Sequence, residues 1–405
     1  MLDNFLNDFF NPKSIAIIGA SSNSEKVGGI LIKKLLDFKG KVIPINPRQE
    51  NIFGKKTYSS LKKYSGKIDL VVIAIPAKFV IGALKDCIKK KIKNVIIISA
   101  GFSEIGNKKL EEKITKLAQK NKINLLGPNC FGVANPSINL DLTFANNSAK
   151  QGDVAFISQS GALWSYLSDV SYSNQNFGFS GFVSLGNMAG LNFSDFINYF
   201  NQDKKTKKIV LYIEKIKEGR KFIDICKKSN KEIIVVKAGK SKKGAEAAIS
   251  HTGSLATDFK IYTGAFKQAG IKQKYSFSEV FNFKKFKFPE LKEKKIIVIT
   301  NAGGAGALIT DYLTEEGYDV KPPIDLLGTA LAKDYEKILE KFNNKKFNFV
   351  VILTPQKMSE PKKTAEVISN FSKKNSVFVF FLGEKSINDT KQIFKKYNIP
   401  FFTRI

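Results

Sequence analysis

Three times along the chain an apolar run of strand length ends in a turn of small residues and passes straight into a helical pattern. The three are SIAIIGA before VGGILIKKLLDF, DVAFISQSGAL, and IIVITNAGGAGAL. An apolar run bounded in this way reads as a strand buried on both faces, and such strands alternating with helices build parallel, doubly wound sheets. The turns lie at Gly19, at Ser158 to Gly161 and at Asn301 to Gly306. KVIPINP, IDLVVIAIPA, NVIIISAGF and INLLGPN continue the first cycle, FSGFVSLGN, KIVLYIE and EIIVVKAG the second, FNFVVILTP and VFVFFLGE the third. With 405 residues there is length for several cores. The expected organisation is three α/β units: residues 1–125, 126–283 and 296–405, with the lysine-dense stretch 284–295 as a linker.

The net charge of +30 would by itself suggest a polyanionic partner. Only three of the 66 basic residues are arginines, however: Arg48, Arg220 and Arg404. Base and phosphate recognition on nucleic acid relies on the planar guanidinium. The lysines are also scattered in short clusters such as 89–93 and 204–208, which fit solvated helix ends better than a continuous groove. Neither a nucleic acid nor a membrane is expected as partner, although the charge favours small anions such as nucleotides and coenzyme A. Cys87, Cys130 and Cys226 are too few and too unevenly spaced for a disulfide framework or a zinc site. No metal site is expected, and the reducing cytoplasm is the expected compartment. The first residues carry Asp3 and Asp8 where a secretory signal is basic, and no apolar run reaches the length of a membrane span.

Small residues after the first strand, Gly19, Ala20 and Ser21 followed by Lys26, Val27, Gly28 and Gly29, let backbone N–H groups and a helix dipole hold a phosphate. They do not form G-x-G-x-x-G, and Asn46, Pro47 and Arg48 stand where an NAD-binding chain needs an acidic residue. A tight turn with no ligand and a nicotinamide oxidoreductase are the competing readings of this segment. His251 is the only histidine, set in AAISHTGSLA, where small polar neighbours are expected to expose it on a loop. An imidazole can take up a phosphoryl group at one nitrogen while an acceptor holds the other, and Glu214, ending VLYIE, is a candidate for that acceptor. SQSGAL (158–163) and NAGGAGAL (301–308) each offer a helix start with unpaired N–H groups.

Together the segments GASSNSEKVGG, IISAGFSE, LGPNCFGV, ISQSGAL, SLGN, YIEKIKEGRKF, SHTGSLA and TNAGGAGAL resemble the NDP-forming acyl-CoA synthetases, relatives of succinyl-CoA synthetase that include the alpha subunits of ADP-forming acetate–CoA ligases. The resemblance runs through nearly the whole chain in order. It implies an α/β fold with a CoA-binding Rossmann-like domain followed by two flavodoxin-like domains of the succinyl-CoA-ligase type. It implies the reversible reaction of acyl-CoA, phosphate and ADP to acid, CoA and ATP, through an acyl phosphate and a phosphohistidine at His251 oriented by Glu214. Ser158, Ser160, Gly161, Gly303 and Gly304 would bind phosphate. Coenzyme A would lie along Gly19, Ser21 and Lys26, then Pro76, then Ala100, Gly101 and Phe102, with Asn129 and Cys130 near the thioester. Gly186 and Asn187 would line the acyl pocket.

Where this family commonly follows SLGN with a lysine and soon an aspartate, Met188, Ala189 and Gly190 stand here, which leaves the acyl group open. Relatives also continue into a further helical segment after NIPFFTRI. Nothing in the chain resembles an ATP-grasp domain, so ADP or ATP with Mg2+ would be bound by an ATP-grasp beta subunit or domain, in an expected heterotetramer. The rival reading is a non-catalytic CoA- or acyl-CoA-sensing module of a protein acyltransferase system.

Overall fold

The computed structural model describes residues 6–173, 176–252, 258–342 and 347–405, the side chains of 249–252 excepted. In chain order the first sheet contains β1 (Ser14–Ile18) and β2 (Lys41–Ile45). A small hairpin, β3 (Asn51–Ile52) with β4 (Lys55–Lys56), follows, and then β5 (Leu70–Ile73), β6 (Asn94–Ile97) and β7 (Asn124–Leu126). The sheet order is β2-β1-β5-β6-β7, with every pair parallel. The winding reverses between β1 and β5, and a sheet of this kind opens a crevice beyond its carboxyl ends at that point.

Two short strands, β8 (Val133–Asn135) and β9 (Leu140–Asp141), precede β10 (Gln151–Ser158), β11 (Phe179–Ser184), β12 (Lys208–Ile213), β13 (Glu232–Lys237) and β14 (Lys272–Lys274). They form the order β14-β13-β12-β10-β11-β8-β9, parallel except where β8 meets β11 and β9. The third sheet holds β15 (Lys295–Thr300), β16 (Asp319–Val320), β17 (Ile324–Asp325), β18 (Asn348–Leu353), β19 (Ser376–Phe381) and β20 (Phe401–Phe402). Its order is β16-β15-β18-β19-β20, with β17 also on β15. Its switch point lies between β15 and β18. In the second sheet β10, between β11 and β12, has that place.

The three sheets do not keep separate cores. Leu31 of the helix Val27–Lys34 and Leu35 just after it share one apolar cluster with Leu142, Leu185, Phe193 and Phe196 of the second unit. The helix Ala162–Ser173 is buried at every position from Leu163 to Ser171, because the second sheet covers one side and the third unit the other. It therefore has no solvent-facing stripe, and its polar side chains Ser165, Ser168, Asp169 and Ser171 are buried with the rest. Its Trp164 ring stacks on Phe182 with centroids 4.1 Å apart. Its fully buried Asp169 accepts hydrogen bonds from Asn147 Nδ2 (2.5 Å), Ser386 Oγ (2.6 Å) and the Glu384 N–H (2.7 Å), a polar weld to the third unit.

Two expectations need correction. Residues 284–295 are not a free spacer: Phe286 packs on Tyr312 and Phe288 on Phe378, each with ring centroids 4.8 Å apart. Alternating phenylalanines in FNFKKFKF supply that apolar face while the lysines between them stay solvated. His251 does not follow a loop, because the helix Lys242–Thr252 runs through it. Lys, Glu and Ala in KKGAEAA are strong helix formers, and they outweigh the turn tendency of the residues after them. Among the described residues no helix is long and apolar enough to cross a membrane.

Trp164 is fully buried with its ring against Phe179 and Phe182 of β11. Trp164→Ala is expected to lower stability by about 3–5 kcal/mol, measured by urea unfolding followed with far-UV circular dichroism. A loss below about 0.5 kcal/mol, the range of an ordinary surface change, would contradict that packing.

Candidate functional site

The three switch points face one another. The carboxyl ends of β1, β5 and β6, of β10 and β12, and of β15 and β18 open onto one cavity of about 1250 Å³. Of the residues singled out in the sequence, Gly19, Lys26, Pro76, Ala100, Asn129, Cys130, Ser160, Gly161, Gly186, Asn187, Glu214 and Gly303 line it.

At the first edge the helix Val27–Lys34 begins hard against the turn after β1. A Cβ on Gly28 would sit 1.9 Å from the Gly19 carbonyl oxygen, so no other residue lets the helix start so close. No side chain caps that helix, which leaves N–H donors at a positive dipole end beside Lys26. Ser21, half-buried, lies just off the cavity and accepts the Asn23 N–H at 3.1 Å through Oγ.

Farther along the first edge the N–H groups of Gly101 and Phe102 both donate to Glu104 Oε1, at 2.5 and 3.1 Å. The Phe102 ring is wholly buried in the first unit's core and Gly101 lies outside the lining, so Ala100, Ser103, Glu104 and Ile105 are what this loop presents to the cavity. Asn129 Nδ2 donates to Asn187 Oδ1 at 3.2 Å. Asn187 Nδ2 in turn lies 2.7 Å from one oxygen each of Glu104 and Glu111. Lys217 Nζ donates to the Met188 carbonyl at 2.5 Å, which brings an ammonium to the place after SLGN where this chain has no lysine of its own. Burial lowers its pKa. Cys130 Sγ faces the Ile97 carbonyl at 3.3 Å, and burial pushes its thiol up to about 12, so it is a neutral packing group at pH 7.

At the opposite wall two helix starts meet. The helix Gly303–Glu315 has no side-chain cap, and a Cβ on Gly304 would lie 2.7 Å from Ser160 Oγ and 2.9 Å from Tyr212 Oη. Ser160 and Gly161 lead into Ala162–Ser173, so the positive ends of two helices from different units point into the same space. Ser158 and Gly304 stand behind the wall. Ser158 Oγ donates to the Ser160 carbonyl at 2.7 Å and braces the turn, and Gly304 accepts from the Tyr212 hydroxyl at 3.2 Å. Glu214, buried beside them, is held through its backbone: its N–H and that of Lys215 donate to Gln159 Oε1 at 2.7 and 2.8 Å. Tyr212 is kept neutral by burial and by the nearby Glu214 carboxylate, which push its hydroxyl pKa well up. The side chain of His251 lies outside the described residues.

Several groups escape a reading by motif. Gln159 and Glu104 sit inside quoted segments, but nothing local marks their contacts, and Glu111 has no signal at all. Lys237 reads as an ordinary strand end, yet it is 6% exposed, pairs in register with Ile213 and places Nζ 4.6 Å from the Tyr262 ring centroid. Burial lowers its pKa to about 8 against the pull of Glu214 and Asp311. Among the described residues no three His, Cys, Asp or Glu side chains cluster to hold a metal ion.

The sequence matches the family model of a CoA binding domain over residues 13–136 and that of a succinyl-CoA ligase like flavodoxin domain over 151–286. It is 37% identical to the acetate–CoA ligase [ADP-forming] II subunit alpha of Pyrococcus furiosus, over 98% of this chain and 94% of that one. It is 45% identical to the acetate–CoA ligase [ADP-forming] of Methanocaldococcus jannaschii over 76% of this chain but only 44% of the longer relative. A solved structure, the dinucleotide forming acetyl-coenzyme A synthetase 1 of Ca. Korarchaeum cryptofilum in complex with phosphate and ADP, matches with a TM-score of 0.66 at 34% identity. That match covers 99% of this chain and 94% of the other.

The buried lysine makes a pH test of this site. Its pKa is about 8 in the folded chain and 10.5 when exposed, so between those values the unfolded chain binds the extra proton. Stability therefore gains from this group as pH rises through that window. Relative to wild type, Lys237→Met should lose that rise when urea unfolding is compared at about pH 7 and about pH 10. Parallel pH profiles would mean that the ammonium is not buried.

Proposed function

The chain belongs to the NDP-forming acyl-CoA synthetases, and from that premise we propose that it is the CoA-handling, phosphoryl-accepting part of an ADP-forming acid–CoA ligase. The observation that carries this reading is the convergence of a phosphate-ready turn, two helix starts and Glu214 on one cavity. Such a cavity can take a CoA thioester and a phosphate ion together. The helix start at Val27 and Lys26 would hold CoA phosphates, the 74–76 and 99–104 segments its pantetheine arm, and Asn129 with Asn187 the thioester end.

Phosphate oxygen attacks the thioester carbon, the C–S bond breaks, and CoA leaves as a thiolate that takes a proton. The product is an acyl phosphate. N–H groups at Ser160 to Ala162 and at Gly303 and Gly304 face the phosphoryl oxygens, where the fixed dipoles stabilise charge that develops in the transition state. An imidazole nitrogen of His251 then attacks phosphorus, the bond to the acyl oxygen breaks, and the acid departs as carboxylate. Glu214 would hold the second ring nitrogen as acceptor, so that the nucleophilic nitrogen stays unprotonated. Transfer onward to ADP, and the Mg2+ that accompanies the nucleotide, belong in this proposal to an ATP-grasp beta subunit or domain. The naming of a 37% identical relative as a subunit alpha supports a partner that handles the nucleotide. A heterotetramer in the cytoplasm, where the three buried free thiols stay reduced, completes the reading.

The test is a labelling experiment with the purified chain, acetyl-CoA and radiolabelled inorganic phosphate. Wild type should acquire acid-labile, base-stable label, His251→Ala none, and Glu214→Gln label at a rate lowered about a hundredfold. If no label forms even with an ATP-grasp subunit present while CoA still binds, the sensing module replaces this reading.

A further inference from the structure

The most heavily bonded buried carboxylate near the cavity is one that the proposed chemistry leaves unused. Asp311 lies in the third turn of the helix Gly303–Glu315 and is 6% exposed. It reaches across to the second unit, to the turn that opens the helix Lys242–Thr252. Its Oδ2 accepts the N–H groups of Gly239 (2.8 Å) and Lys240 (3.0 Å). Its Oδ1 accepts the N–H of Ser241 (2.7 Å) and the Ser241 hydroxyl (2.8 Å). Ser241 Oγ also accepts the Gly244 N–H at 2.9 Å, so the carboxylate closes a small network over the helix start. The first N–H groups of a helix have no partner within it; here Ser241 Oγ caps one of them, and Asp311 holds the turn 239–241 that carries this cap and sets a negative charge near the positive dipole end. The carboxylate that fixes the cap comes from another unit, 70 residues on in the sequence.

Two neighbours show how tightly the carboxylate is placed. A Cβ on Gly244 would fall 1.9 Å from Asp311 Oδ1, so the two helices touch at this point with no room for a methyl group. The buried Lys237 ammonium feels Asp311 and Glu214 together, so the two carboxylates share one cation. The helix that carries Asp311 starts at Gly303, on the cavity wall. Eight residues at 1.5 Å each put the anchor about 12 Å from that phosphate-facing end along one rigid rod. The helix that it anchors is the one that carries His251.

We propose that Asp311 is a positioning residue for phosphoryl transfer: it locks the root of the His251-bearing helix to the helix whose N-terminus faces the phosphate. The inference rests on His251 as the phosphoryl acceptor. In that reading the histidine has to reach the phosphoryl group from a helix root held in register with Gly303, so a slip of that root would shift the ring relative to the phosphorus.

The test uses the full chain with acetyl-CoA and radiolabelled inorganic phosphate, comparing wild type, Asp311→Asn and Gly244→Ala. The first variant turns amide hydrogens toward backbone N–H donors, and the second pushes the carboxylate aside while keeping its charge. Both should slow labelling about a hundredfold, as expected of an ångström-scale misplacement. The KM for acetyl-CoA and the affinity for CoA should be unchanged, and hydrogen exchange at residues 239–245 should be faster. Unchanged labelling in both variants, or a fall in CoA affinity parallel to the fall in rate, would overturn the proposal, since loss of folded protein lowers both. If wild type itself takes no label, the phosphoryl-acceptor reading fails, and the role of Asp311 in transfer fails with it. A labelled wild type with equally labelled variants removes only the role of Asp311.

Discussion

Everything at the centre of the molecule depends on the contact between Ser160 and Gly304. There the start of one buried helix meets the start of another from a different sheet, with no space for a methyl group between them. The positive ends of two helices repel when they converge, and such a junction is stable when an anion can share their field or when flanking groups absorb it. Glu214, buried alongside, and the Tyr212 hydroxyl bonded to the Gly304 carbonyl are the flanking groups. Close packing of Ala162–Ser173 between two sheets keeps the helix ends from drifting apart. The apolar core thus enforces an electrostatic arrangement that water alone would loosen.

The same logic extends outward. Asp311, Lys237 and Glu214 form a buried row of alternating charge between the second and third units, and Asp169 of the helix Ala162–Ser173 makes a second polar joint, to Glu384 and Ser386 of the third unit. Buried charges are costly unless each is hydrogen-bonded, and both aspartates are held by several donors. Such joints fix register between units more sharply than apolar contact does, because a small displacement leaves donors unsatisfied. The surplus of surface lysine acts at longer range, favouring anions near a cavity that Lys26, Lys215, Lys217 and Lys357 also line.

Much of the architecture was legible in local pattern. The long buried strands β1, β5, β10, β12, β15 and β18 and the helices after them follow from apolar runs broken by small residues, since periodic burial is a property of neighbours in sequence. The strands β8, β9, β16, β17 and β20 did not stand out, because elements of two or three residues carry no period. The phenylalanines of 284–295 looked like decoration on a linker, because nothing local shows which surface they cover. Phe102, which the resemblance sets along the pantetheine arm, has its ring in the core, while Ala100 and Glu104 of the same loop line the cavity, because no local pattern tells an inward ring from an outward one.

The sequence by itself determined that strand, small-residue turn and helix recur three times, that one histidine stands among helix formers and small polar residues, and that Glu214 closes a buried strand. Those are statements about adjacent residues, and backbone geometry with side-chain burial suffices to make them. Only the tertiary structure decided that three switch points share one cavity, that Gly304 lies against Ser160, and that Asp311 holds a turn 70 residues before it. Such meetings depend on how whole helices and sheets pack, and packing is settled by the summed fit of many side chains that no short stretch of sequence contains.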